Sequence, residues 1–150
     1  MSEEDVENRK SRPELIDAVT GALYEFVLLT LPVALYVALE SFVKEDWSYF
    51  ISSPEWAIAT IFLAVQAVTL YFKNLSRIGR TNGRAFGGLV LLTLLIVVVS
   101  SINALESLRA HGVGSSAALW VRLALFLLSV VMFFALVGSG RYTFLKKKRE

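Results

Sequence analysis

Between Gly88 and Val99 the chain reads Gly-Leu-Val-Leu-Leu-Thr-Leu-Leu-Ile-Val-Val-Val, a run with one hydroxyl and no charge. Residues 85–87 before it and 100–105 after it are also uncharged. Together they reach the ~20 residues a helix needs to cross a ~30 Å hydrocarbon core. A water-soluble domain can bury one such helix, but not four. Three further runs of the same kind lie at about 23–43, 55–72 and 117–137. Only 19% of the 150 residues are charged and 55% are hydrophobic, whereas roughly 25% are charged in soluble domains. The remaining charges gather in the ends and connections. The expected fold is therefore all-α: a polytopic membrane protein with a four-helix transmembrane bundle over residues 13–140. A polar arm (1–12) precedes the bundle and a basic tail (141–150) follows it.

Many chemistries are excluded by what the chain lacks. It has no cysteine, so no disulfide, thiolate nucleophile or cysteine-ligated metal can form. It contains no HExxH or GxSxG motif and no aspartate pair at a useful spacing. Its single histidine, His111, falls in a turn between Ala110 and Gly112, a setting that suits a solvent-facing side chain better than a metal ligand. Gly138-Ser139-Gly140 superficially resembles the serine motif of intramembrane proteases, but no histidine lies at its depth. Neither an enzyme nor a cofactor or metal site is expected. A net charge of +2 gives no footprint for nucleic acid. The amino terminus, Met-Ser-Glu-Glu-Asp-Val-Glu-Asn-Arg-Lys, lacks the basic n-region of a cleaved signal peptide, so the first apolar segment is expected to be retained.

Local signals set the expected boundaries. Residues 1–10 are too polar to offset ordering entropy and are expected to be flexible. Ser11-Arg12-Pro13-Glu14 then reads as a capping-box helix start. In the first span Pro32 removes a backbone hydrogen bond and is expected to kink the helix, either as a plain bend or as a hinge. Lys44–Phe50 mixes charges with aromatics, as a headgroup-level connection does. Ser52-Ser53-Pro54-Glu55 repeats the start signal. Gln66 is the strongly polar residue in the middle of the second span, where an amide is expected to bond across helices, with a ligand or pore contact as the alternative. The segment from Lys73 to Arg84, with Lys73, Arg77, Arg80 and Arg84 and no acid, reads as a loop facing anionic headgroups. The third span holds its polar residues in its second half, including Asn103 and Glu106. Gly138-Ser139-Gly140 is expected to end the fourth span, and the tail to anchor at the membrane surface.

The bases orient the bundle. The arm holds three, the 73–84 segment four and the tail five, so twelve of the fifteen fall on one side if both termini are cytoplasmic. That is the arrangement the positive-inside rule favours. Glu40, Asn103, Glu106 and Arg122 then share one level in the outer leaflet. An Arg at that depth costs about 3 kcal/mol unless paired. Glu40 or Glu106 is the expected counter-ion, with snorkelling to the headgroups as the alternative. Glu25 lies near the inner rim, where Arg77, Arg80 or Arg84 is the expected partner. Small residues at Gly87, Gly88, Ala104, Ala117 and Ala118 would permit close helix approach.

A membrane-embedded carboxylate on the first of four helices resembles the small multidrug-resistance transporters, which implies proton-coupled transport through Glu25. Those proteins are shorter, have less charge bias, and their motif is not found here. Ser-Pro-Glu-Trp followed by an Ala-rich helix with a central Gln, Ser53 to Gln66, resembles uncharacterised four-helix membrane proteins of bacterial antiviral defence loci, over about a tenth of the chain. That likeness implies an effector in the bacterial inner membrane, held inactive until a partner releases it. Three function classes follow. The first is a homo-oligomeric, pore-forming or ion-permeable effector lined by the polar set. The second is a non-conducting anchor or regulatory subunit for a cytoplasmic protein. The third is a small proton-coupled transporter.

Overall fold

The structure, a computed structural model, describes residues 3–77, 83–109 and 116–149. Its elements are α1 (Glu3–Val43), α2 (Ser48–Ser52), α3 (Trp56–Arg77), α4 (Gly83–Arg109) and α5 (Ser116–Arg149), and the described residues contain no strand. Four helices are long and apolar enough to cross a membrane, over Leu15–Val43, Trp56–Arg77, Gly87–Ser107 and Ser116–Lys147. At 1.5 Å per residue the first is about 44 Å long and the last about 48 Å, so both reach beyond the hydrocarbon or tilt within it.

Two boundaries differ from the expectation. The first helix begins at Glu3 and passes through Pro13 instead of starting at Ser11. The last helix runs through Gly138-Ser139-Gly140 to Arg149, so the anticipated stop and separate tail are replaced by one continuous rod. Gly140 is buried, and a Cβ there would lie 3.2 Å from Tyr71 Cδ2. Here the glycine serves close packing against α3. Pro32 also lies within an unbroken helix and is exposed.

The end of α1 is built by its backbone. Glu45 N–H bonds the Phe42 carbonyl at 3.2 Å and Asp46 N–H the Ser41 carbonyl at 3.1 Å. This is the Schellman pattern, with Glu45 at φ 53° in the position that favours glycine. Asp46 Oδ1 then accepts the Ser48 N–H at 2.9 Å, which starts α2.

In the bundle, α3 packs most extensively against α5 and also against α4 and α1, and α5 also touches α1 and α4. The four long helices alternate in direction, so α1 and α4 flank a central α3/α5 pair. Alanines make that pairing close: Ala57, Ala59, Ala64 and Ala67 of α3 are buried. Against them sit Leu63, Ile96, Met132, Phe133 and Val137. Phe26 extends this core to α1, its ring centroid 6.2 Å from Phe133 and 5.2 Å from Phe134. Lipid tails are as apolar as these side chains, so the gain is close van der Waals packing and not exclusion of water. Outside, Leu35, Leu39, Leu91, Leu95, Leu127 and Val131 are exposed, a belt that only lipid or another apolar surface can satisfy. Several hydroxyls within the spans return to their own helices, as with Thr30 to the Phe26 carbonyl and Thr69 to the Val65 carbonyl, both at 2.8 Å, whereas Ser100 Oγ and Ser129 Oγ are buried without a hydrogen bond. Gly87 and Gly88 have nothing within 4 Å of a Cβ, so they bring no helices together within the chain. Ala118 is buried, and Ala117 exposed.

Candidate functional site

Polar side chains collect at the two ends of the bundle. At the end carrying α2, Arg122 of α5 is only 4% exposed. Its Nε–H donates to Asn103 Oδ1 at 3.0 Å, Nη1 donates to the Ser52 carbonyl, and Nη2 donates to Ser107 Oγ. Asn103 uses its other face as well, donating Nδ2–H to the Ala118 carbonyl at 2.8 Å. One guanidinium thus ties α2, α4 and α5 together. The Ser52 carbonyl it binds is at the last residue of α2, where helical carbonyls lack partners of their own.

The expected counter-ion is therefore replaced. Neither Glu40 nor Glu106 pairs with Arg122, and its head stays within the bundle instead of snorkelling. Glu40 is taken by Lys44 one turn on, at 2.8 Å, and Lys44 lies 3.5 Å over the Tyr49 ring. The Glu40 carboxylate, first by hydrogen bonding, holds the Lys44 ammonium above the ordinary lysine range. Glu106 is exposed and has no ion pair among the described residues. Three neutral oxygens satisfy Arg122 because its planar fork spreads donors in several directions. Aromatic packing closes the cluster: Trp56 Nε1–H donates to the Phe50 carbonyl at 2.6 Å, and its ring meets Phe50 and Phe126 edge-on at 5.5 and 5.2 Å.

At the opposite end, Glu25 of α1 forms an ion pair with Arg141 of α5. Of the partners expected for Glu25, Arg77 is not used. Arg80, the Arg84 side chain and His111 lie outside the described residues. Arg141 reaches Glu25 because α5 remains helical past Gly140, and because position 21 has no side chain. A Cβ on Gly21 would lie 2.8 Å from Arg141 Cζ. The pair borders a cavity of about 330 Å³ that Asp17, Lys73, Asn74 and Arg77 also line. Arg77 lies 5.7 Å from the centroid of the Phe144 ring.

Gln66, expected to join helices, is half-buried and makes no hydrogen bond with any described residue. Ser52, Ser107, Gly21 and Arg141 were not anticipated as site residues. Two of them carried a readable signal: Ser107 follows Asn103 by four residues, and Gly21 precedes Glu25 by four, so each pair shares a helix face. The Ser52 carbonyl and the reach of Arg141 depend on tertiary placement and leave no mark in the sequence.

Between the two clusters the core is built mainly of apolar side chains, with the buried hydroxyls of Thr60, Thr93, Ser100 and Ser129 set among them. Arg122 and Arg141 are about 28 Å apart along α5, and Phe133 and Leu63, both fully buried, lie between the ends with Ala64, Ala67 and Ile96. Fold and polar placement together define an all-helical protein with four apolar helices compatible with an integral membrane protein. No family model matches the chain, and neither a curated protein nor a solved structure does. The resemblance of Ser53–Gln66 to defence-locus proteins gains no support from them.

Proposed function

We propose that this chain is a non-conducting integral membrane subunit, an anchor or regulator for a cytoplasmic protein, with both termini cytoplasmic in a bacterial inner membrane. The observation that carries this reading is the bulky apolar packing in the middle of the bundle. An ion entering at Arg122 would meet Leu63, Ile96 and Phe133 before reaching Glu25, and burying a bare charge among such side chains is prohibitive. A pore between copies would have to be lined by outward faces, which are mostly Leu, Val and Ile through the spans, with Thr69 and Glu106 among them. Of the expected lining residues, Asn103 and Arg122 are bonded inside the chain and Glu40 is paired with Lys44, which leaves Glu106 facing outward. The basic residues, by contrast, are concentrated at the Glu25 end, on the face the positive-inside rule assigns to the cytoplasm.

Purified full-length protein reconstituted into liposomes loaded with potassium and a fluorescent reporter tests this. The expected result is a leak rate equal to that of protein-free liposomes, together with a cytoplasmic protein co-purifying in a manner that depends on Lys73 and Arg77. A protein-dependent leak abolished by Glu106→Ala would overturn it in favour of the homo-oligomeric pore. Proton-coupled uptake lost in Glu25→Gln would overturn it in favour of a transporter.

A further inference from the structure

The cavity beside the Glu25–Arg141 pair has a charge imbalance that the fold does not resolve. Its lining brings together the cations Lys73, Arg77 and Arg141 and the carboxylates Asp17 and Glu25. Glu25 and Arg141 neutralise each other. Lys73 and Arg77 are exposed, and neither has an ion pair with a described residue. The Arg77 guanidinium carbon lies 5.7 Å from the centroid of the Phe144 ring, within cation–π range, and the Arg77 N–H donors bond no described residue. With Asp17 set against these two, the described residues of the lining carry one net positive charge. The rest of the wall is suited to hydrocarbon: Leu70, Phe144 and Leu145. Acceptors are also unspent, since Glu25 Oε2 is buried without a hydrogen bond and Asp17 has no hydrogen bond to a described residue. The cavity lies where the apolar spans Leu15–Val43, Trp56–Arg77 and Ser116–Lys147 reach one end of the bundle, the depth at which headgroups meet acyl chains.

We infer that this cavity binds a phosphodiester with one net negative charge and a hydroxylated headgroup, the chemistry of phosphatidylglycerol. Lys73 and Arg77 hold the phosphate as a point charge and a planar fork. The headgroup hydroxyls donate to the exposed Asp17 carboxylate, and the glycerol and acyl start rest on Leu70 and Leu145. Choline and ethanolamine headgroups carry no net charge and leave the imbalance in place. The site stands whether or not the chain docks a cytoplasmic protein.

The test uses full-length protein in neutral detergent, with thermal midpoint and native mass spectrometry as readouts. Dioleoylphosphatidylglycerol is expected to raise the midpoint and appear as a bound adduct, and dioleoylphosphatidylcholine to do neither. Lys73→Gln with Arg77→Gln is expected to weaken phosphatidylglycerol binding on the order of tenfold or more. Lys146→Gln, which removes the same kind of charge outside the cavity, leaves binding unchanged. Lys73→Gln alone, at an exposed position, gives part of the loss with an unaltered circular-dichroism melt, which separates lost binding from lost fold. Soluble glycerophosphoglycerol binding as tightly as the lipid would uphold the phosphodiester chemistry and assign a soluble source. Equal effects of phosphatidylglycerol and phosphatidylcholine, or a Lys146→Gln loss as large as that of the double variant, would overturn the site.

Discussion

Arg122 shows how a cation is kept within a membrane bundle without a paired carboxylate. Each of its three nitrogens has an oxygen partner, so hydrogen bonds to neutral oxygens offset the cost of burial without a direct ion pair. Arg122→Met keeps much of the volume but takes the donor from Asn103 Oδ1 and the Ser52 carbonyl and leaves Ser107 Oγ with only its bond to the Asn103 carbonyl. The expected loss is about 3 kcal/mol, read as a lower midpoint in denaturant-titrated unfolding in detergent. Arg122→Lys is expected to recover only part of it, because a single ammonium lacks the fork. Asp46 makes a separate contribution outside the spans. Hydrogen bonds from Ser48, its hydroxyl first and then its amide, hold the carboxyl below the usual aspartate range. A depressed native value means that the stabilisation is complete above the ordinary aspartate pKa and disappears as pH falls through the lower native one. Thermal midpoints of the wild type and Asp46→Ala are therefore expected to differ near neutrality and to converge in acid.

Single elements show where local rules were overridden. Gly138-Ser139-Gly140 has the composition of a helix end, yet α5 continues because Gly140 packs against Tyr71 and Asn74, and that compensation comes from α3. The spans themselves were legible because a bilayer imposes length and apolarity directly on the sequence, and Asn103 and Arg122 stood out as polar residues within them. Their mutual bond was not legible, since like all long-range pairs it depends on helix rotation, and the sequence suggested charge partners instead. The end of α1 carries its own prediction. Glu45 occupies a left-handed position where a side chain clashes and glycine does not. Glu45→Gly is expected to stabilise the protein by about 1 kcal/mol, seen as a higher thermal midpoint with unchanged helix content.

At the scale of the molecule, two polar clusters close the ends of a bundle whose middle is packed with Leu63, Ala64, Ala67, Ile96 and Phe133. The Arg122 cluster joins α2, α4 and α5, the Glu25–Arg141 pair joins α1 to α5, and bulky apolar side chains fill most of the space between them. All of this presupposes that the helices cross the bilayer with α2 on one side and the Lys73–Arg77 end on the other. The chain has no cysteine, so single cysteines report side without background. Ser48→Cys and Ser76→Cys, both exposed, can be treated with a membrane-impermeant maleimide in right-side-out and inside-out vesicles. Ser48→Cys is expected to label only in right-side-out vesicles and Ser76→Cys only in inside-out ones. Labelling of both from the same side would contradict the four-span arrangement.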